Sequence, residues 1–156
     1  MQLQVYGKIQ KKYSEYLASD EIALGYKLAK LREAEQVSHF SSASRRMRLY
    51  EGKAGRYMVI APNTPRDMIE EGQMMSNCVA SYIERVAAGE TMVFFKRTRK
   101  DPDKSLVTIE VRNGRLQQVK GRFNKRPTEE QMDAVNLWYR NAFLLPKQVS
   151  LLEYEG

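Results

Sequence analysis

Three groups of residues in this chain have the types and spacing to do chemistry. Cys78, the only cysteine, follows Gly72-Gln-Met-Met-Ser-Asn77 and opens an apolar pattern, near the start of an expected helix. A helix N-terminus and nearby cations lower a thiol pKa and favour the nucleophilic thiolate. A lone cysteine on an apolar stripe also reads as a small buried hydrophobe, and His39, the only histidine, is far off in sequence. The second group is polar: Arg97, Thr108, Glu110 and Gln118 on expected strands, then Asn124 in the loop beyond them. A carboxylate converging with an arginine and amides can position a phosphorylated or nucleotide ligand or move a proton. The same residues also make an ordinary cross-strand salt bridge. Cys78 and Glu110 are therefore the candidate reactive groups, and Arg97, Thr108, Gln118 and Asn124 the candidates for positioning a ligand.

The third group interleaves basic and aromatic side chains: Phe94, Phe95, Lys96 and Arg97, then Lys120-Gly-Arg-Phe-Asn-Lys-Arg126. Aromatic rings stack on bases while lysines and arginines contact phosphates. Lys96, Arg97, Lys120, Arg122, Lys125 and Arg126 are the expected phosphate contacts, and Phe123 the stacking residue. Phe94 and Phe95 point to opposite sides of a strand, so at least one belongs to the core. The net charge of +7 is concentrated here: from Lys96 to Arg126 there are eleven basic residues against three acidic ones, and the rest of the chain sums to −1. Such one-sided charge favours a polyanion, DNA or RNA, or serves solubility, and it disfavours an acidic mimic of DNA.

The elements that must hold these groups are legible in outline. A chain of 156 residues, 42% hydrophobic and 29% charged, fits one domain that buries roughly two-thirds of its unfolded surface. Residues 5–36 predict two helices, the second starting at Ser19-Asp20-Glu21 and turning Ile22, Leu24, Tyr26, Leu28 and Leu31 toward a core. Residues 39–55, with Arg45, Arg46 and Arg48, predict a loop or irregular helix. Arg56 to Ala61 predicts a strand, and Thr64-Pro65-Arg66-Asp67 a capped helix start interrupted at Gly72. A further helix follows, closed by Gly89. Thr91–Thr98, Leu106–Arg112 and Leu116–Gly121 predict strands, and Pro127-Thr128-Glu129-Glu130 opens a last helix that stops near Pro146.

Asn113-Gly114 is a two-residue type I′ turn signal, because both residues tolerate positive φ. It predicts Val111 opposite Leu116, Glu110 opposite Gln117, Ile109 opposite Gln118 and Thr108 opposite Val119. Ile109, Val111, Leu116 and Gln118 then share a face. The expected fold is α+β: a three- to four-stranded, mainly antiparallel sheet with helices packed on one face, in a single domain of 1–156 with a helical extension over 1–50 and a core over 56–145.

One cysteine excludes an intramolecular disulfide, and one histidine leaves no Cys/His cluster for zinc, so no metal and no cofactor are expected. No apolar run reaches the roughly 20 residues that cross a bilayer, and the N-terminus lacks the apolar stretch of a signal peptide. A cytoplasmic protein without membrane contact is the expectation.

In order along the chain, Glu71-Gly72, Cys78-Val79, Tyr82, Gly89-Glu90-Thr91, Phe94-Phe95-Lys96-Arg97, Thr108-Ile109-Glu110-Val111 and Gln118-Val119-Lys120-Gly121-Arg122 with Asn124 resemble the PcfJ-like family of conjugative-plasmid and phage proteins. The run covers about Tyr57 to Tyr139 and leaves the first 50 residues outside. The resemblance implies a protein of a mobile element and names no reaction. In the family's pattern a histidine commonly precedes the cysteine, and this chain has Asn77 there. The leading expectation is a nucleic-acid-binding accessory protein rather than an enzyme. The alternatives are a modulator that docks on a host protein or nucleoprotein machine, such as a host nuclease, and a small enzyme on a nucleotide or nucleic acid that uses Cys78 or Glu110.

Overall fold

The computed structural model describes the backbone of residues 2–146, with the side chains of 20–29, 31–32 and 36–146. It divides into two units, Met1–Gln36 and Val37–Gly156. One helix, α1 (Gln2–Arg48), takes the place of the two helices expected in the first unit. No proline interrupts these residues, so Ser19-Asp20 has no chain reversal to cap. Ile22, Leu24, Tyr26, Leu28 and Leu31, expected to face a core, are all exposed. Among the described residues the first unit holds no element besides this helix.

In the second unit, the segment expected to be irregular is the last part of α1. Phe40, Ala43, Ser44 and Met47 recur at the 0, 3, 4, 7 spacing of a helix face and are buried,. The Ser44 hydroxyl donates to the Pro62 carbonyl at 2.7 Å. After a turn come β1 (Gly52–Ala54) and β2 (Tyr57–Ile60), α2 (Pro65–Met75), a 3₁₀ turn (Val79–Tyr82) and the short α3 (Ile83–Ala87). Then follow β3 (Met92–Thr98), β4 (Ser105–Arg112), β5 (Arg115–Lys120), a 3₁₀ turn (Arg122–Asn124), α4 (Glu129–Tyr139) and a π turn (Arg140–Leu144). Thr64 caps α2 and Thr128 caps α4, each in a reciprocal capping box, with Asp67 and Gln131. Gly72 does not end α2; Ser76, in the left-handed region at φ 50°, does.

The sheet has five antiparallel strands in the order β1-β2-β3-β4-β5, not three or four. The additional strand is β1, whose Gly-Lys-Ala carries no β-branched or aromatic residue and pairs Gly52 with Val59 through a tight turn. Helices lie on both faces rather than one. The Phe94 ring packs on Trp138 of α4 at 4.9 Å. On the opposite face, Thr108, the partner of Phe95, donates to Glu71 of α2. Phe94 and Phe95 are thus both buried, at 0% and 1% exposure.

Asn113 (φ 53°) and Gly114 (φ 73°) make the expected turn, and Val111 faces Leu116 as the sequence predicts. Beyond that pair the register slips by one: Glu110 faces Gln118, Ile109 faces Val119 and Thr108 faces Lys120, with Gln117 bulged out. In an unbroken strand Leu116 and Val119 would point to opposite faces. The bulge puts Val119 beside Ile109 on the Leu116 side, and moves Gln118 and Lys120 to the side of Glu110 and Thr108. Among the described residues no helix is long and apolar enough to cross a membrane.

Candidate functional site

Glu71 is a buried carboxyl group that accepts three hydrogen bonds. It stands at the core-facing position of α2 between Met68 and Met75 and is fully buried. One carboxylate oxygen accepts from the Ser105 hydroxyl at 2.7 Å and the Thr108 hydroxyl at 2.8 Å. The other accepts from Arg97 Nη2 at 3.4 Å. Burial pushes the Glu71 carboxyl above the usual carboxylate range, while its two hydroxyl donors and Arg97 oppose the rise,. Arg97 also donates to the Pro102 carbonyl at 3.0 Å.

Thr108 carries the network onward. Its hydroxyl accepts from Asn77 Nδ2 at 3.0 Å, and Asn77 Oδ1 accepts from the Val79 amide at 3.1 Å. Asn77 is thereby pinned beside Cys78, which lies exposed at the start of the 3₁₀ turn rather than buried in the core. An amide cannot take the proton of a thiol as a neutral imidazole can. His39 is exposed on α1.

Asn77, Cys78 and Tyr82 line a cleft of about 30 Å³ together with Thr108, Glu110, Gln118, Lys120 and Asn124. Most of the polar residues singled out in the sequence therefore meet here, and the β5 bulge is what brings Gln118 and Lys120 in. Glu110 is 4% exposed. Its Oε2 accepts from the Thr91 hydroxyl at 2.7 Å and from Arg112 Nη2 at 3.0 Å. Its Oε1 is buried with no hydrogen-bond partner. Arg97 is tied to Glu71 instead of reaching Glu110.

The expected phosphate contacts divide. Lys120, Arg122, Lys125 and Arg126 are exposed, as is Phe123 at 60%. Arg122, Lys125 and Arg126 line a groove of about 540 Å³ with Lys104 and Asp103. Phe123 and Asn124 both have left-handed backbones, at φ 59° and 57°. The loop closes on itself through the Gly121 amide, which donates to the Lys125 carbonyl at 2.8 Å. A Cβ at Gly121 would come within 3.2 Å of that oxygen, a tight contact that the glycine avoids.

Lys96 and Arg97 do not join this surface. Arg97 is held by Glu71 at 16% side-chain exposure. Lys96 is fully buried, with Nζ 3.8 Å from the Tyr57 ring centroid and within 3.5 Å of the Gln131 carbonyl. Burial lowers its pKa from 10.5 to about 8, with Arg56 adding to the fall and Glu130 opposing it. Above about pH 8 the folded state sheds this proton while the unfolded chain keeps it. Stability from this group therefore rises with pH between about 8 and 10.5,. Lys96→Met should remove that rise and stabilise the fold at pH 7 by on the order of 2 kcal/mol after solvent screening, measurable as the urea midpoint against pH.

Glu71, Asn77, Tyr82 and Lys104 are among the residues here that the sequence did not mark as site residues. For Glu71 there was a signal: Met68, Glu71, Gly72 and Met75 follow a helix face, and a carboxylate on that face must be paired when buried. Among the described residues no group of three or more His, Cys, Asp or Glu side chains is arranged to hold a metal.

The family model for PcfJ-like proteins matches residues 20–136. The chain belongs to the PcfJ-like family. The match begins further toward the N-terminus than the run of motifs from Tyr57, and it takes in the whole cleft and the loop after β5. The PcfJ-like chain is also 36% identical over 84 residues to the uncharacterized protein Lin1253/Lin1744 of Listeria innocua serovar 6a. That alignment covers 53% of this chain and only 18% of the relative. No solved structure is significantly similar to it.

Proposed function

We propose that the protein binds nucleic acid, with a preference for unpaired strands, through the exposed 120–126 loop, as an accessory protein of the mobile element that the resemblance implies. One observation carries the reading: Phe123 is held exposed in a backbone conformation that costs a non-glycine residue on the order of 1 kcal/mol, between Arg122 and the Lys125-Arg126 pair. An exposed ring flanked by cations stacks on a base while the cations neutralise phosphates, and stacking of this kind needs a base that is not already paired. The groove lined by Lys104, Arg122, Lys125 and Arg126 gives the backbone a path.

Fluorescence anisotropy with short single- and double-stranded DNA and RNA at two salt concentrations tests this. Binding should weaken steeply with salt, and its absence at low salt for every nucleic acid sinks the reading. Phe123→Gly separates function from folding. Glycine adopts φ 59° without strain, so the variant should match or exceed the wild type in thermal stability. Loss of the ring should nonetheless weaken single-strand binding by about tenfold, the scale of one stacked base.

A second reading, docking on a host protein, is favoured by the exposed apolar residues of α1 from Ile22 to Leu31. Pull-down with and without nuclease separates the two, since direct protein contact survives nuclease. The enzyme reading has less support: among the described residues no hydrogen bond joins Cys78 to a base.

A further inference from the structure

The cleft beside the loop holds a group that the loop does not use. Glu110 is a nearly fully buried carboxylate with one oxygen accepting two hydrogen bonds and the other, Oε1, accepting none. Buried polar atoms are almost always satisfied, and a bare carboxylate oxygen is a strong acceptor in want of a donor. Neither Thr91 nor Arg112, which occupy Oε2, lines the cleft, whereas Val93 and Gln118, the cross-strand neighbours of Glu110, both do. Glu110 thus stands on the cleft face of the sheet, its Oε1 closed off from solvent just behind the lining, next to an exposed amide that can donate or accept.

We propose that this cleft takes the amino edge of an unpaired nucleobase, with Glu110 Oε1 accepting from the exocyclic amino group and Gln118 pairing with the adjacent ring nitrogen; the inference rests on the nucleic-acid reading of the loop. Size sets how much of the base enters. A volume of about 30 Å³ holds roughly two waters, enough for an amino group and its neighbouring ring atom but not for a whole ring. The remainder of the base lies at the mouth, which Tyr82 and Asn124 also line. Asn124 belongs to the same left-handed pair as Phe123, so one strand reaches the loop cations and the cleft together, with Lys120 between them. Cytosine and adenine carry an amino group next to an acceptor nitrogen and fit this pair. Thymine and uracil fit less well, because when their one ring donor meets Oε1 and one carbonyl meets Gln118, the other carbonyl oxygen lies against the carboxylate.

The test compares oligo(dC), oligo(dA) and oligo(dT) of equal length on the wild-type protein, read by anisotropy and by the alkylation rate of Cys78. Cys78 is the only cysteine, is exposed and lines the cleft, so iodoacetamide reports its occupancy directly. The expected result is that oligo(dC) and oligo(dA) bind about tenfold or more tightly than oligo(dT), the scale of one base-edge interaction, and slow alkylation where oligo(dT) does not. Glu110→Gln should erase the preference, because its amide oxygen stays with Thr91 and Arg112 and its NH2 takes the place of Oε1. Gln118→Ala, at an exposed position, makes the same comparison if Glu110→Gln fails to fold. Equal or tighter binding of oligo(dT), with equal protection of Cys78, overturns the cleft and leaves the loop reading standing. Absence of binding by all three overturns both.

Discussion

Glu71→Ala should destabilise the protein by about 3–5 kcal/mol, the cost of removing one partner from a buried ion pair. The substitution takes away the acceptor for three donors, Ser105 Oγ, Thr108 Oγ1 and Arg97 Nη2. It leaves the Arg97 guanidinium under α2 with the Pro102 carbonyl as its hydrogen-bond partner and the Phe95 ring beside it, and its Nε is already buried without a partner. Thr108 would also lose the bond that orients it toward Asn77, so the loss reaches the wall of the cleft. Glu71→Gln should cost less, since an amide oxygen still accepts from a hydroxyl. The two also differ in pH dependence. Because the folded carboxyl titrates above its ordinary value of 4.5, the folded state holds more protons than the unfolded chain just above that pH. Wild-type stability from this group therefore falls as pH rises through that window, and Glu71→Gln should abolish that slope. Urea denaturation across the acidic range measures both effects.

The largest functional effect is expected from Lys120/Arg122/Lys125/Arg126→Ala. If the four cations each neutralise one phosphate of a single strand, wild-type affinity should fall by about 50-fold between roughly 50 and 200 mM salt. The variant should bind about a hundredfold or more weakly at the lower salt and show little remaining salt dependence. All four side chains are exposed and none of them makes a hydrogen bond or ion pair among the described residues, so stability should change by less than about 0.5 kcal/mol per site. Unchanged melting with lost binding is the expected pair of results. Binding retained by the variant would move the interface away from this loop.

What was legible beforehand follows from local rules. Thr64-Pro65 and Thr128-Glu129 cap their helices because a hydroxyl before a helical run satisfies amides within three residues. Asn113-Gly114 turns because two adjacent residues there tolerate positive φ. The basic 120–126 loop stays exposed because a cluster of like charges is not desolvated. Phe40, Ala43, Ser44 and Met47 show the limit of such rules. A serine and three arginines around the stripe hid a helical period that is plain once the buried set is known.

The sequence by itself determined an α+β protein with an antiparallel sheet, the positions of β2 to β5, both capped helices and the charge asymmetry, since each depends on residues a few positions apart. Tertiary structure decided the rest. It used Lys96 and Arg97 inside the fold, because a residue's burial depends on what packs across the sheet from it and helices cover both faces. It slipped β5 by one residue, because Leu116 and Val119 share an apolar face only across a bulge. That slip placed Gln118 beside Glu110 and made one cleft of residues that strict alternation would have set on opposite sides.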